Sequence, residues 1–181
     1  MNLAMNLRDL QLWEQGKLKA FAIPQGEDEL ADKTVGIKEP FKKLTVMRTV
    51  EKNGEPVEKK ILIGIKYRSD DSVCFVEGES DTEPYEEAPR WSPASQLPDF
   101  AIRRSATIIK VDEPKPLQVV NADELALLQL DYASQNNPQL LLEEYLPIKN
   151  YELLYHWWKE HYKATLKDCD NPTVVLLHIQ P

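Results

Sequence analysis

Six side chains along the chain have the chemistry needed to hold a phosphate-bearing ligand. They are five cations and one large aromatic ring: Lys17, Lys19, Lys38, Trp91, Arg103 and Arg104. Lysine and arginine donate hydrogen bonds to phosphate oxygens, while an arginine plane or a tryptophan ring stacks on a nucleobase. We therefore predict a nucleic-acid-binding set in which the cations contact phosphate and Trp91 stacks, with Phe21 as a second candidate ring.

Two members of this set have a charged neighbour in the sequence, which limits what each can face. Adjacent residues of a strand point to opposite sides, so only one of Lys38 and Glu39 reaches a given cleft, and both registers are open. Glu39 is then either a partner in a surface ion pair or a buried carboxylate that is hydrogen-bonded to backbone. For Arg103 and Arg104, either one arginine faces the ligand or Arg103 bonds loop carbonyls and fixes the turn at 93–98.

The loop at residues 91–103 connects several of these groups. Trp91 begins it, Pro93 and Pro98 stiffen it, and Arg103 leads into the next strand. Proline presets φ and removes a backbone donor, so such a loop holds its shape without ladder pairing. The loop is either a rigid binding surface or a corner at which a barrel turns.

Strands dominate the elements that must position these residues. Asn53-Gly54 is typical of a hairpin turn, because both residues tolerate positive φ. The other runs are apolar or alternate between apolar and polar residues. We predict strands at 35–37, 43–50, 57–67, 72–76, 101–111 and 174–179.

Helices are predicted in four places. A helix from Leu7 stops at Gly16, and Asn121 with Glu124 forms a capping-box pattern before a second apolar run. A short helix is expected at 140–145, and a longer one at 151–162 with Asn150 as its cap. Its apolar stripe carries Trp157 and Trp158, of which we expect one to pack on the core and the other to lie at its rim.

The motifs and their order resemble the phage and prophage branch of the ASCH family, in the PUA-like superfamily of small β-barrels. The resemblance rests on Trp-x-Pro from Trp91, Leu-Pro from Leu97, Ala-x-Arg from Ala101 and Leu-Gln-Val-Val at 117–120. Residues 37–41 are similar to the family's Val-Arg-Glu-x-Trp strand. The tryptophans at 157–158, followed by Asn-Pro-Thr-Val at 171–174, are similar to its terminal helix and strand.

This resemblance implies an α+β fold, a mixed β-barrel with about three helices packed around it. It covers about residues 7–179, so we expect a single domain over 1–181 with an acidic loop at about 69–90. Barrel closure would also remove the edges that many short strands otherwise expose.

The family's catalytic signature, Gly-x-Lys-x-x-Thr/Glu-x-Arg, is degraded in this chain. In some members a lysine, a threonine and a glutamate there support amide hydrolysis on a modified cytidine nucleoside, and nuclease activity is attributed to others. Here Gly16 fits, but the lysine is out of register, Phe21 replaces the threonine or glutamate and Ala22 replaces the arginine. Because neither replacement transfers protons or holds an anion, we expect no inherited enzyme activity.

The net charge of −8 and pI near 5.0 argue against broad, non-specific nucleic-acid binding. The acidic loop contributes much of it through Asp70, Asp71, Glu77, Glu79, Asp81, Glu83, Glu86 and Glu87. It is either a solvated loop that aids solubility or a surface for a basic protein partner. The predicted phosphate-binding cations would form a local basic surface, to which we add four further cations: Lys42, Lys43, Arg48 and Lys110.

Cys74 and Cys169 make neither a disulfide framework nor a zinc site, and His156 and His161 are poorly spaced for shared metal ligation. We expect no metal, no cofactor and no membrane segment, and a cytoplasmic location.

The leading hypothesis is binding of RNA, another single strand or a modified nucleotide. The alternatives are an acidic protein-interaction module and a degenerate nucleoside amidohydrolase or nuclease.

Overall fold

The computed structural model of the chain describes residues 1–25, 33–126, 146–162 and 171–181. In chain order the strands are β1 (Asn2–Ala4), β2 (Ala20–Pro24), β3 (Thr34–Lys38), β4 (Phe41–Lys52), β5 (Glu55–Tyr67), β6 (Val73–Phe75), β7 (Glu86–Glu87), β8 (Arg104–Val111), β9 (Lys115–Pro116) and β10 (Thr173–Gln180). The α-helices of the described residues are α1 (Leu7–Glu14) and α2 (Leu146–Tyr162). The fold is α+β, as predicted, with both parallel and antiparallel strand pairs.

The chain divides into two compact units. The first unit contains residues 1–10 and 36–104, and the second contains residues 11–35 and 105–181.

Neither described helix is long and apolar enough to cross a membrane.

The first unit is built around the long β4–β5 hairpin. β5 pairs with β6 and β4 pairs with β7, which gives an antiparallel sheet in the order β6-β5-β4-β7. The predicted turn is confirmed, because Asn53 and Gly54 have φ values of 56° and 83°. β1 pairs in parallel with β3, so Leu3 lies opposite Ile37 and both are buried.

The loop at 91–103 packs into the core of this unit. It contains two short 3₁₀ turns, Ala94–Gln96 and Asp99–Ala101, each preceded by a proline in extended conformation. Leu97 and Ala101 join a buried cluster with Phe41, Ile65 and Tyr67. The following strand therefore begins at Arg104, three residues later than predicted.

The second unit is a sheet with β10 at its centre. β10 pairs antiparallel with β2 on one side and with β8 and β9 on the other. Four of the five β2 residues are buried, and so are most of β10. Such burial explains why β2 is entirely apolar and why five of the eight β10 residues are apolar.

The helices depart from the sequence prediction in three respects. Trp157 and Trp158 are both fully buried, so the expectation of one tryptophan at the rim is wrong. Asn150 lies inside α2, which begins at Leu146, and is not its cap. The Asn121 capping box is confirmed, but it opens a 3₁₀ turn, Ala122–Leu125. The helix predicted at 140–145 falls outside the described residues.

The Gly54→Ala variant tests the hairpin turn. An L-residue with a side chain at φ 83° is strained, so we expect the free energy of unfolding to fall by about 1 kcal/mol. Urea denaturation measures this loss, with Glu55→Ala at the neighbouring exposed position as the control. An unchanged midpoint for Gly54→Ala would show that the turn does not hold this conformation in solution.

Candidate functional site

Glu39 is a fully buried carboxylate held between two arginines of the first unit. The Arg103 guanidinium donates from Nε to Glu39 Oε1 at 2.8 Å and from Nη2 to Oε2 at 3.2 Å. Arg104 donates to the same Oε1, and the Ser69 hydroxyl donates to Oε2. Two positive charges therefore compensate one carboxylate removed from water. The buried register of Glu39 is one of the two that the sequence allowed, but its partners are side chains and not backbone.

Arg103 uses all of its hydrogen-bond donors within the protein. Beyond Glu39, Nη1 and Nη2 each donate to Asp70 at 2.9 Å, and Nη1 also donates to Ser72. The guanidinium carbon lies 3.8 Å from the centre of the Tyr67 ring. A guanidinium has five N–H donors. With these bonds formed, Arg103 has no N–H left to offer a phosphate.

The pKa values of this cluster follow from its contacts. Partial burial works against the charged form of Arg103, but the bonds to Glu39 and Asp70 outweigh it and raise the pKa of the guanidinium above its usual range. The hydrogen bonds from Arg103 hold the pKa of the Asp70 carboxyl well below its usual range. Burial raises the pKa of the Tyr67 hydroxyl, which donates to the Ala101 carbonyl at 2.6 Å.

Lys38 and Trp91, also in the first unit, have neighbours of their own. Lys38 Nζ lies 2.9 Å from Asp99 Oδ1, so this lysine points away from buried Glu39. Trp91 is half-buried, with Lys42 Nζ 4.9 Å and the Arg68 guanidinium 5.9 Å from its ring centre. Trp91 is thus an accessible ring flanked by cations.

The acidic loop is bound to cations of its own unit. Arg48 makes two 2.7 Å bonds to Glu79 and one of 3.1 Å to Glu83. Further pairs join Lys60 to Glu86 at 2.7 Å, Lys66 to Glu87 at 2.9 Å and Lys42 to Glu87 at 3.5 Å. A basic protein partner would have to compete with these pairs.

Lys17 and Lys19 belong to the second unit, where they line a pocket of about 260 Å³ with Asn121, Asp123, Glu124, Ala20 and His178. Both lysines are exposed, and neither forms an ion pair with a carboxylate of the described ranges. A neighbouring pocket of about 320 Å³ shares Lys19 and His178 and is otherwise lined mainly by apolar side chains, among them Trp13 and Ile109.

His178 lines the first of these pockets and also belongs to a charged cluster with Asp112 and Lys110. Its Nε2 lies 3.1 Å from Asp112 Oδ1, and Lys110 Nζ lies 2.7 Å from the same oxygen. Partial burial favours protonated Asp112, but the bonds from Lys110 and His178 outweigh it and lower the pKa of this carboxyl. Asp112 therefore stays ionised and orients the imidazole.

Sequence reasoning missed the Asp112–His178 pair and the pocket wall at 121–124. The two partners are 66 residues apart and meet only because β8 and β10 are paired. One signal was present: His178 interrupts an otherwise apolar strand. Phe21 is fully buried and packs against Trp157, with 5.1 Å between the two ring centres. The proposal that Phe21 stacks on a ligand base is therefore wrong.

No family model, curated protein or solved structure matches this chain. The resemblance to the ASCH family therefore stands on the quoted motifs alone. Two positions of its catalytic signature, Phe21 and Ala22, are fully buried core residues of β2.

The Glu39→Ala variant tests the arginine clamp. Removing one partner of a buried ion pair leaves uncompensated charge, so we expect the free energy of unfolding to fall by about 3 kcal/mol. Asp99→Ala is the matched control, because the Asp99 carboxylate that pairs with Lys38 is exposed and its removal should change stability far less. Equal losses in the two variants, measured by urea denaturation, would contradict a special role for Glu39.

Asp70 should make stability depend on pH on the acid side. Its pKa is lower in the folded than in the unfolded protein, so its contribution is complete above the unfolded pKa, about 4, and is lost as the pH falls further. Asp70→Asn should flatten the acid limb of the unfolding free energy plotted against pH between about 4 and 2. A variant curve parallel to that of the wild type would contradict the Arg103–Asp70 pair.

Proposed function

We propose that this chain binds a nucleotide, a modified nucleotide or the end of a single-stranded nucleic acid in the pocket of the second unit. One observation carries the proposal: of the cations predicted from the sequence, Lys17 and Lys19 alone lack a carboxylate partner in the described residues and also line a pocket. An ammonium group without an internal counter-ion is available to a phosphate.

The size of the pocket favours a small ligand. Ligand pockets in proteins usually measure about 300–1,000 Å³. The two adjoining pockets of about 260 and 320 Å³ suit a mononucleotide, with the apolar one available to a base or sugar. A long strand would need a continuous basic groove, which the two lysines that line these pockets do not make.

The acidic side of the pocket favours a base that carries an amino group. Asp123 and Glu124 line the same pocket as the lysines, and carboxylates accept hydrogen bonds from the exocyclic amino group of cytosine. Glu124 also accepts from the Asn121 N–H at 3.3 Å and lies 3.7 Å from Lys115. Asn121 adds an amide to the same wall, while its side-chain oxygen accepts from the Asp123 backbone. A cytidine-type ligand would thus meet lysines at its phosphate and carboxylates at its base.

The proposal includes the PUA-like barrel and the phage-type ASCH assignment that the resemblance implies. The strand-rich α+β fold is compatible with that barrel. Inherited hydrolysis is not part of the proposal, because Phe21 and Ala22 are core residues with no chemistry to offer.

Calorimetric titration with cytidine 5′-monophosphate tests this function. We expect saturable binding that weakens at least tenfold in the Lys17→Ala/Lys19→Ala double variant, because two charge-assisted contacts are lost. Uridine 5′-monophosphate should bind more weakly, since it lacks the amino group.

The control is Lys43→Ala, an exposed lysine of the first unit. It should leave the affinity unchanged. Absence of binding to the wild type at millimolar nucleotide, or equal affinity in the double variant, would exclude the pocket as the site.

A further inference from the structure

The β4–β5 hairpin of the first unit carries a basic face, which we define as Lys42, Arg48 and Lys66. Side chains separated by an even number of residues share a side of a strand, so Lys42 and Arg48 lie on the same side of β4, about 20 Å apart along the strand, with buried Leu44 and Val46 between them. The register sets Lys66 of β5 directly opposite Lys42. Lys42 and Lys66 are thus cross-strand neighbours, and Arg48 lies farther along the same side of the hairpin.

An acidic strap, residues 79–87, occupies this face. Glu79 binds Arg48 with both carboxylate oxygens at 2.7 Å, and Glu83 adds a contact of 3.1 Å. Glu87 reaches Lys66 at 2.9 Å and Lys42 at 3.5 Å. Like charges directly opposite each other destabilise a strand pair, so an anion between Lys42 and Lys66 stabilises this register. In this structure Glu87 is that anion.

The strap can release these cations without unfolding. Its backbone is tied to the hairpin through β7, where Glu86 lies opposite Thr45 and Glu87 opposite Leu44. The other contacts include ion pairs of partly buried side chains and the edge-to-face packing of Tyr85 on Phe75, with 6.5 Å between the ring centres. Because salt screens the ion pairs, rotation of the glutamate side chains can exchange a carboxylate for another anion while β7 and Tyr85 hold the strap in place.

An accessible aromatic ring adjoins the basic face. Trp91 lies under Lys42 and Arg68, with 4.9 Å and 5.9 Å from the ring centre to the two cationic groups. Proteins that bind single strands combine cations along the backbone with aromatic rings on which bases stack. The cations alone would suit an acidic peptide equally well, and the ring beside them favours a nucleic acid.

We propose that the basic face, with Trp91 beside it, is a masked surface for single-stranded nucleic acid, and that the acidic strap imitates the phosphates that it excludes. A strand binds by taking over Lys42, Arg48 and Lys66 from the glutamates. The surface lies wholly within the first unit, so it does not depend on the nucleotide pocket proposed above.

The test is fluorescence anisotropy with a labelled ten-nucleotide oligouridine at low salt. Glu79→Gln/Glu87→Gln removes two masking charges and should bind at least tenfold more tightly than the wild type. The gain should disappear when Lys42→Ala and Lys66→Ala are added. It should shrink severalfold with Trp91→Ala, because one stacked base is lost.

The matched control is Glu77→Gln/Asp81→Asn. It removes the same number of charges from the same acidic run, but neither residue forms an ion pair with a described cation. Its affinity should stay within twofold of that of the wild type. An equal gain in the control would reduce the effect to net charge and overturn the proposal, as would no gain in the Glu79/Glu87 variant.

Three further measurements make every outcome decisive. Circular dichroism checks the folding of each variant, and Glu87→Gln alone replaces the double variant should that one fail to fold. If polyglutamate displaces the oligonucleotide as well as unlabelled oligouridine does, the face recognises acidic protein and the nucleic-acid assignment fails. Repeating the titration in the Lys17→Ala/Lys19→Ala background separates this surface from the pocket, because the gain should persist there.

Discussion

The burial of one carboxylate organises the first unit. Glu39 has no access to water, so its charge is stable only while Arg103 and Arg104 compensate it. Arg103 also donates hydrogen bonds to Asp70. This one guanidinium therefore connects three segments: the residue after β3, the packed loop at 91–103 and the start of the acidic loop. The Tyr67 ring packs against the Arg103 guanidinium. The end of β5, the loop at 91–103 and the start of the acidic loop all contact this cluster.

Charge pairing within the protein also decides where a ligand can bind. Arg103, Arg104 and Lys38 are committed to Glu39 and Asp99, so they stabilise the fold. The cations of the β4–β5 hairpin are paired at the surface, where a competing anion can replace a carboxylate. Lys17 and Lys19 face a pocket without such partners. The same residue types thus serve as structural, masked and available cations according to burial and to the nearest carboxylate.

Local sequence rules predicted much of this fold and little of the site. The Asn53-Gly54 turn, the stop at Gly16 and the Asn121 cap depend on the φ preferences or hydrogen bonds of a few consecutive residues. The Glu39 cluster joins residues 64 and 65 positions apart, and no pattern in the sequence encodes that separation. Phe21 was proposed as a second stacking ring, but it is fully buried in β2, and its place in the core follows from strand pairing that the local sequence does not show.

The central claim is that Lys17 and Lys19, which have no carboxylate partner among the described residues, bind the nucleotide, and that Arg103 and Arg104 do not. A backbone ¹H–¹⁵N nuclear magnetic resonance titration with cytidine 5′-monophosphate tests it most directly, because it reports on every unit at once. The account predicts saturable shifts at Lys17, Lys19, Asp123 and His178, with Arg103 and Arg104 unmoved. Shifts concentrated at Arg103 and Arg104, with the pocket residues unchanged, would contradict it.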